Sequence, residues 1–302
     1  MASLKNIKLK ILSYKKTGTV THAMEAVSAV KMRKGQERAL GGRAYAASAL
    51  SVLERLSGTA DLARHPLMQT REGKTAFVVI TSDKGLAGSL NSGVIRAVER
   101  DLQSRNLGKS DVYIYAYGRR GGEYFKSRGY ETTIAVNVSD NIPEDDVLSL
   151  TKSILAESAY TSVYVAYQNF ISTFEQEPTV RQVVPIRPET MKEIVAGIRP
   201  AKGRYAPQTS AELTAKPAAY TVEPDADTVL SVLLPKLLNI AVFHALLENK
   251  ASEHSARMVA MKSATDKAKE MAGDLTRTFN RVRQAAITRE VSEITSGIEA
   301  MK

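Results

Sequence analysis

The 302-residue sequence contains no cysteine and no tryptophan. Without thiols it can form neither a disulfide framework nor a thiolate metal site, so zinc fingers are excluded. Histidine is also scarce: the four, at 22, 65, 244 and 254, form no H-E-x-x-H pattern, and no G-x-S-x-G elbow occurs. No run of 18 or more consecutive apolar residues is present, which predicts no direct transmembrane segment. Proline is missing from residues 1–65 and again from 236–302. A proline inside a helix costs about 3 kcal/mol, so its absence from both ends predicts long helices there. In the second of these stretches glycine occurs only at 273 and 297. At 1.5 Å per residue, a helix that long would extend roughly 100 Å, far beyond an ordinary globule, and reads as a rod.

What is present fills in the rest. A hydrophobic content of 43% supports a buried core in one or two domains. The formal charge of +10 calls for an acidic partner, whether nucleic acid, lipid surface or protein. It is concentrated: residues 1–40 hold nine Lys or Arg against Glu25 and Glu37, a net of +7. The C-terminal stretch carries a seam running Ile240, His244, Leu247, Ala251, His254 and Met258, then Met261, Thr265, Ala268, Ala272, Leu275, Phe279, Val282 and Ala286. Alternating steps of four and three predict a left-handed coiled coil. The N-terminal stretch shows a weaker pattern through Leu4, Ile7, Ile11 and Tyr14, then Val20, Met24 and Val27, and glycines at 18, 35, 41 and 42 argue against an unbroken helix.

Between the ends the grammar changes. The runs "AFVVIT", "VYIYAYG", "TTIAV", "VYVAYQNF" and "RQVVPI" alternate with helix-like "SLNSGVIRAVERDLQS" and "DDVLSLTKSILAES". This predicts a Rossmann-like α/β domain with a largely parallel sheet and an antiparallel edge, inserted between two long terminal helices. The expected boundaries are 1–65 for the first coiled-coil helix, 70–222 for the α/β domain with a proline-rich loop at 199–217, and 223–302 for the second helix. If both helices root on one domain, one entering and one leaving, they run antiparallel.

"TSDKGLAGSLNSG", residues 81–93, has the outline of a phosphate cradle: a strand enters a glycine-bearing loop and a helix leaves it. Its glycines, at 85, 88 and 93, fit neither G-x-G-x-x-G nor G-x-x-x-x-G-K-S/T, and the "GKS" at 108–110 has Gln103 where the first P-loop glycine belongs. Only the positive end of a helix remains as a permissive feature. A tight strand-to-helix turn with a surface-contact role is the preferred reading. Glu290 and Glu293 near the C-terminus read as a solvated face, and His244 and His254 as packed seam residues. The expectation is no catalytic residue, no cofactor and no metal.

"NKASEHSARMVAMKSATDKAKEM" (249–271) followed by "ITREVSEITSGIEA" (287–300) resembles the signature end of the gamma subunit family of the rotary ATP synthase. "THAMEAVSAVKMRKGQ" (21–36) resembles the family's N-terminal rod, and "TSDKGLAGSLN" its loop after the first strand. The likeness runs from Leu4 to Ala300 in family order. It implies that "MASLKNIK" is mature protein and not a transit peptide, and that the chain is of the bacterial type. Ala87, Ser89, His22, Val291 and Ile298 depart from the residues common in the family at those places.

The resemblance implies a rotor shaft whose paired helices fill the bore of the alpha and beta subunits of a catalytic ring. The α/β domain and an epsilon subunit would stand on a membrane rotor ring of c subunits, at the cytoplasmic face of the plasma membrane. Arg283 and Gln284 match positions that make polar contacts with a beta-subunit loop; Met24, Lys31 and Arg33 would face the acidic lever of beta, and Lys84 the lower ends of the beta subunits. Tyr220 and Glu223 are the corresponding rotor-ring or epsilon contacts, although Val222 stands where an aromatic is common. The rivals are a basic coiled-coil nucleic-acid-binding protein and a nucleotide-dependent α/β enzyme. The first is disfavoured because some 180 residues separate the basic stretch from the clean seam, whereas zipper proteins join the two on one helix.

Overall fold

The computed structural model describes residues 4–56, 65–70, 72–135, 140–156, 160–196, 222–223 and 225–301. The proline-rich 199–217 and Tyr220 lie outside them. In chain order the elements are α1 (Leu4–Gly41), α2 (Arg43–Leu56), β1 (Lys74–Ile80), α3 (Leu90–Ser104), β2 (Val112–Tyr117) and α4 (Arg119–Ser127). β3 (Glu131–Ala135), α5 (Glu144–Ala156), β4 (Tyr160–Phe170), β5 (Gln176–Val184), α6 (Pro188–Ala196) and α7 (Ala226–Ala300) follow. They form two compact units, residues 29–257 and residues 1–28 with 258–302, so the division falls inside both long helices.

In the 29–257 unit the sheet order is β3-β2-β1-β4-β5. The first four strands are parallel, and β5 runs antiparallel to β4 at the edge. β1 is buried at six of its seven residues, as a central strand covered on both faces must be. Its side chains alternate between two cores. Phe77 and Val79 pack with Val94 and Val98 of α3 and Phe125 of α4. Ala76, Val78 and Ile80 join the larger core, which takes Leu50 and Leu53 from α2 and Leu234 and Leu238 from α7.

α4 was not legible because "RRGG" reads as a turn. Its glycines are there for close approach: a Cβ on Gly122 would lie 2.7 Å from Ile134 Cγ2. Gly118 just before it has φ +118°, and a Cβ there would lie 2.1 Å from the Thr81 carbonyl oxygen, so no other residue fits.

α7 passes through Pro235, which sequence reasoning treats as a breaker. The proline removes one hydrogen bond to the exposed turn at Ser231, while Leu230, Leu234, Leu237 and Leu238 around it are buried. At about 1.5–3 kcal/mol per buried leucine, packing outweighs the break. This segment also qualifies the expectation about membranes. By mean hydropathy and length alone α7 contains an 18-residue window apolar enough to cross a bilayer, and half of that window is buried within the chain.

In the second unit, residues 4–28 and 258–301 are helical and run antiparallel. Gly18 lies against Ala268, and the buried Thr21 and Thr265 hydroxyls are 2.6 Å apart. Every seam position from Met258 to Ala286 is buried or half-buried. The N-terminal seam departs from the expected one: Val20 and Val27 are exposed, while Gly18, Thr21 and Ser28 are buried. Close helix approach selects for small side chains, so the seam follows size and not hydropathy. The glycines at 18 and 35 leave α1 unbroken, and the break comes at Gly42.

Candidate partner surfaces and the buried polar weld

The loop after β1 is fixed by its own hydrogen bonds. Beside it, the first N–H groups of α4 are already taken. Arg119 N donates to the Asp83 carboxylate at 2.8 Å, Arg120 N to the Ser82 carbonyl, and Gly121 N to Thr81 Oγ1. At α3 the Asn91 side chain folds back, accepting from Ser82 N at 2.9 Å and donating to Ser82 Oγ. A carboxylate and two oxygens of the chain thus occupy the N-terminal end of α4, while α3, the helix that leaves the loop, has no side-chain cap at Ser89. Lys84 is left exposed on the outside of this loop.

The segment that carries the resemblance, Asn249–Arg257, turns out to be polar and buried. Asn249 Oδ1 accepts from Gln168 N at the end of β4, and Ser252 Oγ donates to the Gln168 carbonyl. Ser255 Oγ donates to the Thr173 carbonyl in the β4–β5 turn. Glu253 takes Arg257 at 2.7 Å and Lys250 at 3.3 Å, and Arg257 also reaches the Gly85 carbonyl of the β1 loop at 3.4 Å. His254 Nε2 lies 3.0 Å from Asp140, which also pairs with Lys31 of α1. Burial, outweighing Glu253 and Asp140, lowers the His254 pKa. The ring is therefore neutral at neutral pH: Nε2–H donates to Asp140, and Nδ1 accepts from Arg257. Burial opposes the Asp140 charge, but Lys31 and His254 hold its pKa below the usual carboxylate range. One stretch of α7 is thus stitched to β4, the β4–β5 turn, the β1 loop, the segment before α5, and α1.

One turn earlier lies a second buried group. Burial, reinforced by Arg181, takes His244 down to about 3, and burial takes Glu248 up to about 8 against the opposing pull of Arg181 and Tyr167. His244 Nε2 stands 3.8 Å from Glu248 Oε1, but with both groups neutral this contact is not an ion pair. His244 Nε2 and Glu248 Oε2 are buried without a hydrogen-bond partner.

Arg283, Gln284, Arg33 and Glu223 are exposed, and Met24 is half-buried. Lys31, nominated as a partner contact, is engaged with Asp140 inside the chain. One feature escaped sequence reasoning. Past Val282, α7 exposes Ile287, Val291, Ile294, Ile298 and Met301. Their own steps of four, three, four and three keep heptad spacing but start one residue past Ala286, so they form a second stripe out of register with the seam, and these side chains are solvated among the described residues. A fresh search for heptad spacing past Ala286 was the signal that could have found them, because extending the seam itself leads to Arg289, Glu293, Ser296 and Ala300.

A two-unit chain with an α/β body, paired helices and an unpaired apolar tip belongs to a class of helical-shaft proteins, and the comparisons specify which. A family model described as ATP synthase matches residues 3–301. The ATP synthase gamma chain of Geotalea daltonii is 39% identical over 306 aligned residues, covering 100% of both chains. Those of Geotalea uraniireducens and Geobacter metallireducens are each 38% identical with the same coverage. The chain belongs to the ATP synthase gamma-chain family.

Among solved structures, one chain from the Euglena gracilis mitochondrial ATP synthase in rotational state 3 has TM-score 0.65 at 16% identity, covering 99% of this chain and 94% of that one. A central-stalk chain from Tetrahymena thermophila has TM-score 0.59 at 23% identity, covering 81% and 99%. These share the fold. None of these relatives is named as a nucleic-acid binder.

Proposed function

We propose that this chain is the non-catalytic central shaft of an ATP synthase, peripheral to the cytoplasmic face of a bacterial plasma membrane. The observation that carries the proposal is the exposed Ile287–Met301 stripe. An apolar seam at heptad spacing with nothing against it calls for an apolar collar from another chain. Alpha and beta subunits supply that collar, Arg283 and Gln284 sit just below it as polar contacts to a beta loop, and Lys84, Met24 and Arg33 meet the acidic lower parts of beta. Lys31 contributes mainly through Asp140. Glu223, with Tyr220, faces the c-subunit ring or epsilon.

A single chain cannot be equally complementary to three identical partners around it. At each angle it favours a different conformation in each, and turning it drives the three sites through their states in order. The buried weld at 249–257 suits this role, because torque applied to the helices must reach the α/β body without slip.

The test is co-expression of the tagged chain with the remaining subunits of the synthase, membrane rotor ring included, followed by recovery of alpha, beta and epsilon on the tag and by ATP-driven ion pumping in the membranes. The wild-type chain brings down all three. Replacing Ile287, Val291 and Ile294 together by Ser lowers pumping several-fold while the free chain folds normally. Wild-type pumping by the triple variant, or no recovery of alpha and beta with the native chain, overturns the proposal.

A further inference from the structure

The 29–257 unit contains a cavity that none of the contacts above uses. It has a volume of about 400 Å³ and lies where the α1–α2 break at Gly42 meets α5 and α7. That size falls within the usual range for small-molecule sites. Its walls are mainly apolar: Tyr45, Leu148, Pro235, Ile240, Phe243 and Leu247. Two further observations describe the site, and the second gives a ligand its chemistry.

The first is His244. It lines this cavity and also a chamber of about 20 Å³ behind it, which it shares with Glu248 and Gln36. Its side chain is more than nine-tenths buried, and Nε2 has no hydrogen-bond partner. Nε2 itself has almost no accessible surface and lies towards Glu248, so the cavity takes this ring as wall and not as a hydrogen-bond partner. The second is the rim, where Lys152 and Lys236 stand against Glu144. All three are exposed, and neither lysine has an ion-pair partner among the described residues. The balance of charge at the mouth is positive.

We infer that this cavity is a binding site for a small amphipathic acid, with its apolar body between Leu148 and Phe243 and its carboxylate at Lys152 and Lys236. Bound there, it bridges α5 to α7 across the helix break and tightens the root of the shaft. Neither the beta-facing nor the ring-facing residues are involved.

The sequence has no tryptophan, so one introduced tryptophan reports without background. Tyr45 at the rim is 59% exposed, and Tyr45→Trp keeps an aromatic ring there; Leu148→Trp on α5 serves as a second reporter. The full-length chain is titrated with decanoate and with ω-hydroxydecanoate, which do not absorb at the wavelengths used. A saturable change is expected in both reporter chains and none in Ile294→Trp, whose reporter sits on the exposed stripe. Adding Lys152→Gln and Lys236→Gln weakens binding about three- to tenfold, the sum of two exposed ion pairs. The ω-hydroxyl, which would meet no accessible partner at the apolar inner end, weakens it. A non-saturating response, an equal response in Ile294→Trp, or an affinity indifferent to the two lysines overturns the site, and tighter binding of ω-hydroxydecanoate than of decanoate overturns the apolar inner end.

Discussion

Two stretches of α7 invert the ordinary distribution of residues in opposite ways. Between Asn249 and Arg257 the side chains are mostly polar or charged, and all but Ala256 are buried. Between Arg283 and Met301 five large apolar side chains are exposed, and the polar ones around them are solvated. The first stretch completes its hydrogen bonds within the chain and so fixes a geometry. The second leaves its apolar surface open and so requires another molecule. Damage to the first should show as lost stability of the free chain, and damage to the second only in the assembled complex.

The largest effect expected is from Arg257→Ala. It strips Glu253 of its closer cation and frees the Gly85 carbonyl, leaving Lys250 as the remaining ion-pair partner of Glu253 among the described residues. Breaking a buried pair from one side costs about 3–5 kcal/mol, and the remaining lysine places the value near the lower end. Urea unfolding of the full-length chain measures it. A loss under 1 kcal/mol would mean the weld does not hold the unit together.

Next comes the pH profile. Glu248 sits near 8 folded and 4.5 unfolded, and His244 near 3 folded and 6.5 unfolded. A carboxyl raised on folding loses stability as pH rises above its unfolded value; an imidazole lowered on folding loses it as pH falls below its own. Between about pH 4.5 and 6.5 the two slopes cancel. From 6.5 to 8 only Glu248 acts, and stability falls by about 1.4 kcal/mol per pH unit, some 2 kcal/mol in all. Glu248→Gln should flatten that limb while keeping the acid limb. A variant that retains the alkaline slope would place its origin elsewhere.

Glycine gives a sharper contrast of about 1 kcal/mol, with opposite signs in the two units. At Gly18 an added Cβ would make an ordinary 3.6 Å contact with Ala268, so Gly18→Ala should stabilise the 1–28/258–302 unit by about 0.8–1 kcal/mol through helix propensity. At Gly122 the same methyl group would overlap Ile134, and Gly122→Ala should destabilise by about 1–3 kcal/mol. Hydrogen exchange resolved by segment reads both, and slower exchange along 4–28 in Gly18→Ala is the diagnostic result.

These contrasts also explain what could be read in advance. The strands were legible because "AFVVI" and "VYVAYQNF" are β-branched or aromatic runs bounded by turns, and the C-terminal seam because heptad spacing survives even when Ala and Thr fill it. α6 was missed although Pro188 stands at its first position, where a proline starts a helix. The α1 seam was misplaced onto Val20 and Val27 because hydropathy is a poor guide where helices touch through Gly18 and Thr21. The weld was invisible for a deeper reason: Glu253 and Arg257 look like a solvated helix face, and His254 like a seam residue without a polar partner, until the topology brings Gly85 and Asp140 to them. Arg283 and Gln284 could be nominated only by resemblance, since what they touch lies on another chain.

Arg283→Ala has the smallest effect expected on the free chain and separates the two stretches most cleanly. Arg283 is exposed and makes no ion pair among the described residues, so its loss should change the stability of the free chain by less than about 0.5 kcal/mol. Its guanidinium nevertheless presents a planar donor fork beside Gln284, suited to a bidentate contact with a partner carboxylate. If that contact exists at some rotary angles and not at others, it changes the relative depth of the wells along the rotation. A contact kept at every angle would change none of them. The variant should therefore assemble at normal stoichiometry while ATP hydrolysis and ATP-driven pumping both fall. Measuring the two rates on the same purified complex decides the matter: unchanged values remove Arg283 from the rotary contacts, and failure to assemble makes its contact structural rather than state-dependent.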